Sequence, residues 1–266
     1  MPISSGTHLL YTVRPGDTLY AIAAQLGTNV QSLVQINALY PPVTEPDRIF
    51  PGQVLLVRLP GMVESAVTYQ VQPGDTLYRI AERFSVGVDM LAALNQLQQP
   101  DILRVAQLLY IPALVYEVEQ GDSLNRIASR FGTSLRELIR ANQRRPGLSP
   151  DVIYPGYRLV VPLPASVNIV VFQPLPGLRI APGQPLTGSA RAFEAVIQYQ
   201  IRDATGRIVT QERAVMTSQG APAFGVFNVQ LAFDQTPSAS NGVLMVYTRS
   251  ARDDSIQDLV EVPVTF

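Results

Sequence analysis

RPGDTLYAIA, Arg14–Ala23, returns as QPGDTLYRIA at Gln72–Ala81 and as EQGDSLNRIA at Glu119–Ala128. The three stretches keep a Gly-Asp-Thr/Ser-Leu core and an Ile-Ala pair while the residues around them drift. Aligned on the Tyr-x-Val motifs at Tyr11, Tyr69 and Tyr116, successive copies lie 58 and 47 residues apart, and Asn37, Asn95 and Asn142 repeat those spacings. A register held over 27 residues in three places is an internal repeat.

Each copy has the same local grammar. Tyr-x-Val predicts a short strand, Pro-Gly or Gln-Gly a tight turn, and Asp with Thr or Ser the N-cap of a helix. In copy two, Leu77, Ile80, Ala81 and Phe84 fall at i, i+3, i+4 and i+7, one apolar helix face. Leu19, Ile22, Ala23 and Leu26 match them in copy one, and Leu124, Ile127, Ala128 and Phe131 in copy three. After a break at Gly27, Ser85 or Gly132 a second helix runs to the repeated Asn. Its start in copy three, Ser134–Glu137, has the Ser-x-x-Glu form of a capping box. A variable loop then feeds the strands within IFPGQVLLV (Ile49–Val57), LRVAQLLYI (Leu103–Ile111) and IYPGYRLVV (Ile153–Val161). The unit is strand, helix, helix, strand, with one small core that is marginal at under about 50 residues.

This pattern resembles the LysM domain, in three copies expected at residues 9–60, 67–113 and 114–163. The resemblance implies a ligand of N-acetylglucosamine units, as in peptidoglycan or chitin oligosaccharides, held between the Gly-Asp-Thr/Ser-Leu loop and the loop before the last strand. Its walls would be Gly16, Asp17, Thr18 and Leu19 with Ile49 and Phe50 in copy one. In copy two they would be Gly74, Asp75, Thr76 and Leu77 with Leu103 and Arg104, and in copy three Gly121, Asp122, Ser123 and Leu124 with Ile153 and Tyr154. Tyr20 and Tyr78 either stack on a sugar face or stand as exposed helix aromatics; copy three has Asn125 there. The three aspartates are read as helix caps that also fix the loop.

Two departures raise expectations of their own. Copy two has Val105-Ala106 where the others have Pro-Gly, which predicts a differently shaped closing turn. Copies one and two are joined by LPGMVESAVT (59–68), copies two and three by Pro112–Val115 alone, which predicts a near-rigid pair of copies two and three with copy one mobile. Tethered weak sites gain avidity, with local concentrations of about millimolar.

After Pro164 the pattern changes to alternation. Ala195, Ile197, Tyr199 and Ile201 share one face, as do Phe227, Val229, Leu231 and Phe233, and DATG (203–206) predicts a hairpin turn. Seven strands are predicted in about 100 residues, the size of an immunoglobulin-like sandwich. QPLPGLRIAPGQPLTGSARAFEA, GVFNVQLAF and GVLMVYTRSARDD resemble the immunoglobulin-like domain of bacterial spore germination and sporulation proteins, over residues 166–266. The fold class is therefore multidomain, three small α+β (βααβ) units followed by an all-β immunoglobulin-like sandwich.

Composition narrows the chemistry. A net charge of -1 and a pI near 5.9 provide no electrostatic footprint for nucleic acid, although all 20 basic residues are Arg. The absence of Cys removes thiolate chemistry, and the single histidine, His8, in a polar lead, is read as solvated. No run of about 18 apolar residues predicts a membrane span. MPISSGTHLLYTV lacks the features of a signal peptide, which leaves a protein made in the mother cell or one whose leader has been removed. A hydrolase would need placed carboxylates. Glu194, beside Phe193, stands out, with a strand-end carboxylate accepting backbone N–H groups as the plainer reading. The expectation is a non-enzymatic protein of the cell wall or spore envelope, with no cofactor and no metal, binding glycan and, through its carboxy-terminal domain, other envelope or spore-coat proteins; the alternatives are a structural spore-coat assembly protein acting mainly by protein–protein contacts and, behind it, the carboxylate-dependent glycan hydrolase.

Overall fold

The computed structural model describes residues 2–61 and 65–266. They fall into two compact units, one of residues 2–61, 65–84, 97–127 and 134–162, the other of residues 85–96, 128–133 and 163–266.

The repeats are built as strand, helix, helix, strand. The first has β1 (His8–Thr12), α1 (Leu19–Leu26), α2 (Val30–Ile36) and β2 (Val54–Arg58). The second has β3 (Val67–Gln70), α3 (Leu77–Arg83), α4 (Val88–Leu94) and β4 (Leu108–Ile111), and the third β5 (Ala113–Glu117), α5 (Leu124–Arg130), α6 (Leu135–Ala141) and β6 (Arg158–Pro162). The first helix of each repeat starts at a hydroxyl: Thr18 Oγ1 accepts from the Ala21 N–H at 3.1 Å, Thr76 Oγ1 from Arg79 at 3.2 Å, and Ser123 Oγ from Arg126 at 3.3 Å. Both halves of the Ser134–Glu137 capping box form. In the first repeat Leu9, Tyr11 and Val13 pack with Leu19, Ile22, Ala23, Leu33, Leu55 and Val57.

The repeated asparagine is a structural staple. Asn37 Nδ2 donates to the Leu33 and Leu56 carbonyls at 3.0 and 2.8 Å, and its Oδ1 accepts from the Leu56 N–H at 2.7 Å, so one buried amide joins the end of α2 to β2. Asn142 repeats the arrangement with Leu138 and Val160.

The first repeat is not a mobile bead. β1 pairs in parallel with β3, with His8 opposite Val67 and Leu10 opposite Tyr69, giving one four-stranded sheet of order β2-β1-β3-β4. Met62, Val63 and Glu64 of the connecting segment lie outside the described residues. Parallel partners present their side chains on the same face, so Leu10 shares its face with Tyr69, whose ring meets Phe84 edge-on at 6.0 Å. Leu9 and Tyr11 point the other way, into the first core. The helices α1 and α2 and the helix α3 therefore cover opposite faces of one sheet.

The third repeat is sewn to both. Val54 N–H donates to the Arg144 carbonyl at 2.9 Å, and Arg83 Nη2 donates to the Gln143 carbonyl at 3.1 Å while lying over the Tyr69 and Phe84 rings. Arg145 Nη2 faces Asn37 Oδ1 at 3.4 Å and its guanidinium lies over Tyr157. Burial lowers the pKa of both arginines. These are cations held by carbonyls and ring faces, an arrangement that fails if either neighbour shifts.

His8, read as solvated, is only 2 % exposed, because the polar lead is itself the start of β1. The closing turn of copy two also differs from expectation. Arg104–Gln107 makes the same turn as Phe50–Gln53 and Tyr154–Tyr157, with the Gln107 N–H donating to Arg104 O at 3.0 Å. Ala106 adopts the positive φ, 69°, that Gly52 and Gly156 take at 87° and 85°.

In the second unit the seven predicted strands form two sheets. β7 (Ile169–Gln173), β8 (Pro185–Ala190) and β11 (Gly225–Gln230) make one, in the order β11-β8-β7. β9 (Val196–Asp203), β10 (Ile208–Met216), β12 (Asn241–Arg249) and β13 (Ile256–Thr265) make the other, in the order β10-β9-β12-β13. Ile197, Tyr199, Ile201, Phe227 and Leu231 reach the shared core as the alternation predicts, with Val229 and Phe233 packed partly buried against it. Asp203 organises the DATG turn by accepting from the Thr205 and Arg207 N–H groups at 3.0 and 3.1 Å. Within this unit Asp89 of α4 pairs with Arg191 at 2.9 Å.

Left-handed backbone costs a residue with a Cβ about 1–2 kcal/mol, partly returned because glycine loses more entropy on folding. Ala106→Gly is therefore expected to stabilise the protein by about 1 kcal/mol or less, read as a rise in the urea unfolding midpoint; a fall would show that Ala106 is not strained.

Candidate functional site

Each repeat closes its glycine loop in one way. In Arg14–Asp17 the Asp17 N–H donates to the Arg14 carbonyl at 3.1 Å, with Pro15 and Gly16 at the corners and Gly16 at φ 85°. The Asp17 carboxylate then turns back onto its own loop, where Oδ2 accepts from the Arg14 N–H and from the Tyr11 hydroxyl, both at 2.8 Å. Asp75 does the same with Gln72 N–H at 2.8 Å and Tyr69 hydroxyl at 2.7 Å. Asp122 takes Glu119 N–H at 3.0 Å and Tyr116 hydroxyl at 2.5 Å.

The aspartates are thus turn clamps and not helix caps. The residue directly before the first helical turn is the Thr or Ser, and its hydroxyl reaches the orphan N–H groups; the Asp one position earlier faces the turn and the strand. The tyrosine rings are buried in the repeat cores. Burial, together with the accepting carboxylate, pushes the Tyr11 hydroxyl up to about 12 and raises Tyr69 as well.

The closing turn lies alongside. Val13 N–H donates to Gln53 O and Gly52 N–H to Val13 O, both at 2.8 Å, and the same pairs form at Val71 with Gln107 and Ala106 and at Val118 with Tyr157 and Gly156. Gln53 and Gln107 brace their turns by accepting from Phe50 N–H at 2.9 Å and Arg104 N–H at 3.0 Å. That repeated glutamine was a legible signal that motif reading passed over.

Between the two turns Gly16, Thr18, Gly74, Thr76, Gly121 and Ser123 are exposed, Asp17, Asp75 and Asp122 are half-buried, and Leu19, Leu77 and Leu124 are buried beneath the loop. On the opposite wall Ile49, Leu103, Ile153 and Tyr154 are half-buried, while Phe50 and Arg104 are exposed. Tyr20 is 78 % exposed and Tyr78 65 %. Copy three differs in a way the motif did not reveal: Arg126 Nη1 donates to the Gly121 carbonyl at 3.0 Å and so covers a loop acceptor.

The parallel pairing of β1 with β3 places the loops after both strands on one edge of the sheet. Along that edge the turns run 50–53, 14–17, 72–75 and 104–107, and Arg14 Nη2 reaches Gln70 Oε1 at 3.3 Å. Two grooves therefore open side by side.

The LysM domain family model matches residues 11–58, 69–112 and 116–162, together just over half of the chain. The chain belongs to the LysM domain family. Residues 168–255 match the immunoglobulin-like domain of bacterial spore germination, Gmad2. The chain is 36 % identical over 104 residues to the N-acetylmuramoyl-L-alanine amidase sle1 of Staphylococcus epidermidis, covering 35 % of this chain and 30 % of that one. It is 29 % identical over 127 residues to the secreted LysM effector ECP6 of Passalora fulva, covering 41 % and 54 %. The crystal structure of the Bacillus cereus spore cortex-lytic enzyme SleL matches 40 % of this LysM protein and 22 % of that chain, at 38 % identity and a TM-score of 0.29. The chain thus spans between a fifth and about half of these proteins.

Asp17→Ala leaves the buried Tyr11 hydroxyl and the Arg14 N–H without their acceptor, at a cost of about 1–3 kcal/mol. Thr18→Ala removes one cap bond, at about 1 kcal/mol. Urea unfolding should rank Asp17→Ala as the more damaging; the reverse order would restore the aspartate as the cap. The raised tyrosines stabilise the fold in their neutral form, fully below the ordinary value near 10, and that stabilisation is lost as pH climbs through about 12. Unfolding midpoints at pH 9 and pH 11.5 should differ, and Tyr11→Phe should narrow the difference; an unchanged gap would contradict the assignment.

Proposed function

We propose that this is a non-catalytic glycan-binding protein, anchored through its LysM repeats to peptidoglycan or a chitin-like N-acetylglucosamine polymer, that presents the immunoglobulin-like domain in the cell or spore envelope. The observation that carries this reading is the threefold loop. In every repeat a carboxylate holds the Gly and Thr/Ser backbone exposed beside a small partly apolar wall, without help from a ligand. An N-acetyl group, with one N–H, one carbonyl and one methyl, fits a surface of that chemistry. The relatives support it because an amidase and a secreted effector match this chain in the LysM portion alone.

Non-catalytic action is supported by the setting of Glu194. It lies exposed in a 3-10 turn (Phe193–Ala195) at φ 55° and has no hydrogen-bond partner among the described residues, so the backbone N–H contacts expected of it do not form. The grooves are unequal. Copies one and two keep an exposed tyrosine, and among the described residues no side chain covers their loop carbonyl, whereas copy three has Asn125 and the Arg126 contact, so it is the weakest of the three.

Sedimentation with purified peptidoglycan, competed by N-acetylglucosamine oligomers, tests the reading. Tyr20→Ala and Tyr78→Ala should each weaken retention several-fold without changing stability, since both rings are exposed and a stacking aromatic face is worth about 1 kcal/mol, and Asn125→Tyr should strengthen it. No retention of the wild-type protein would remove the proposal, and release of reducing ends lost in Glu194→Gln would replace it with a hydrolase.

A further inference from the structure

A second cleft, of about 390 Å³, lies at the opposite end of β1 and β2 from the Gly16–Thr18 loop, within the size range of small-molecule sites. Three parts of the first unit wall it. His8 and Arg58 are cross-strand partners at the start of β1 and the end of β2. Ser32 and Gln35 come from α2, and Glu117 and Arg158, partners across β5 and β6, form an ion pair of 2.8 Å. The segment from Pro2 to Ser5 closes the remaining side, fixed to β5 by bonds from Glu117 N–H to Pro2 O at 3.0 Å and from Ser4 N–H to Val115 O at 2.9 Å.

The charges in this cleft are not balanced. Arg158 is matched by Glu117, but Arg58 has no hydrogen-bond or ion-pair partner among the described residues. His8 is held neutral near pH 7: burial foremost lowers it to about 4, the Gly6 backbone bond opposes that, and Arg58, Arg158 and Arg145 add to the lowering. What remains is one uncompensated guanidinium beside a neutral imidazole, serine hydroxyls and a glutamine amide. A guanidinium fork matches a carboxylate in shape and charge. Glu117 in the wall opposes a second negative charge, which disfavours a dianion such as phosphate.

We propose that this cleft binds a small monocarboxylate bearing hydroxyl or amide groups, about the size of one acidic sugar or a dipeptide, with its carboxylate seated on Arg58. Two sources share that chemistry, a carboxylated amino sugar and the free carboxyl end of a short peptide. The site does not depend on the glycan grooves, which lie at the other end of the strands.

The protein has one histidine, so its imidazole C–H signal reports on the cleft alone. The full chain is titrated with N-acetylmuramic acid, with D-alanyl-D-alanine and with neutral N-acetylglucosamine. A saturable shift of the His8 signal with at least one carboxylate and none with N-acetylglucosamine is expected, and His8 should titrate about 1 pH unit higher in the complex. A response to one carboxylate alone identifies the source. Arg58 is solvent-exposed, so Arg58→Gln should keep the wild-type unfolding midpoint and lose at least tenfold in affinity; Ser32→Ala should lose several-fold. No saturable shift with either carboxylate, an equal shift with N-acetylglucosamine, or undiminished binding by Arg58→Gln would overturn the proposal.

Discussion

The aspartate carboxylate two residues before each first helix is the interaction on which the rest depends. It accepts from a buried tyrosine hydroxyl and from the first N–H of its own turn, so it ties the end of a strand to the start of a helix through one side chain. Without it a hydroxyl is stranded inside a core of about ten apolar residues, too small a core to absorb the cost. With it, the glycine before the aspartate and the Thr/Ser after it stand exposed in a fixed geometry before any ligand arrives. A weak groove benefits most from such preorganisation, because little binding energy is then spent on ordering the loop.

The second constraint is the joining of the repeats. The shared sheet places the first two loops on one edge, and Arg83 and Arg145 bind the third repeat through carbonyls and ring faces. The repeats are therefore not tethered beads with a linker-set local concentration. The spacing of the three glycine loops is built into the joined repeats.

Much of this was legible in local pattern. Helix faces such as Leu77, Ile80, Ala81 and Phe84, the Ser134 capping box and the alternation at Ile197, Tyr199 and Ile201 are short-range signals, and the structure carries them unchanged. What was not legible depended on residues far apart in sequence or on side-chain direction. Nothing near His8 announces that β1 will pair with β3 and bury the lead. The Tyr11 to Asp17 bond is visible only once strand and turn are folded, so the aspartate looked like a cap. Ala106 looked like a broken turn because the flanking backbone bonds at Val71, which hold it at positive φ, leave no local mark. The groove residues could be placed along the chain by repetition, but the Arg126 cover over Gly121 could not.

The central claim is that glycan meets the edge between the clamped turn and the closing turn. Amide-resolved NMR of the isotope-labelled protein, titrated with an N-acetylglucosamine oligomer, tests it most directly. The account predicts that the largest shifts fall on Gly16–Thr18 and Gly74–Thr76, with smaller ones at Gly121–Ser123 and none in β7 to β13. Shifts concentrated in the sandwich, or on the outer helix faces with the loop amides unmoved, would contradict it.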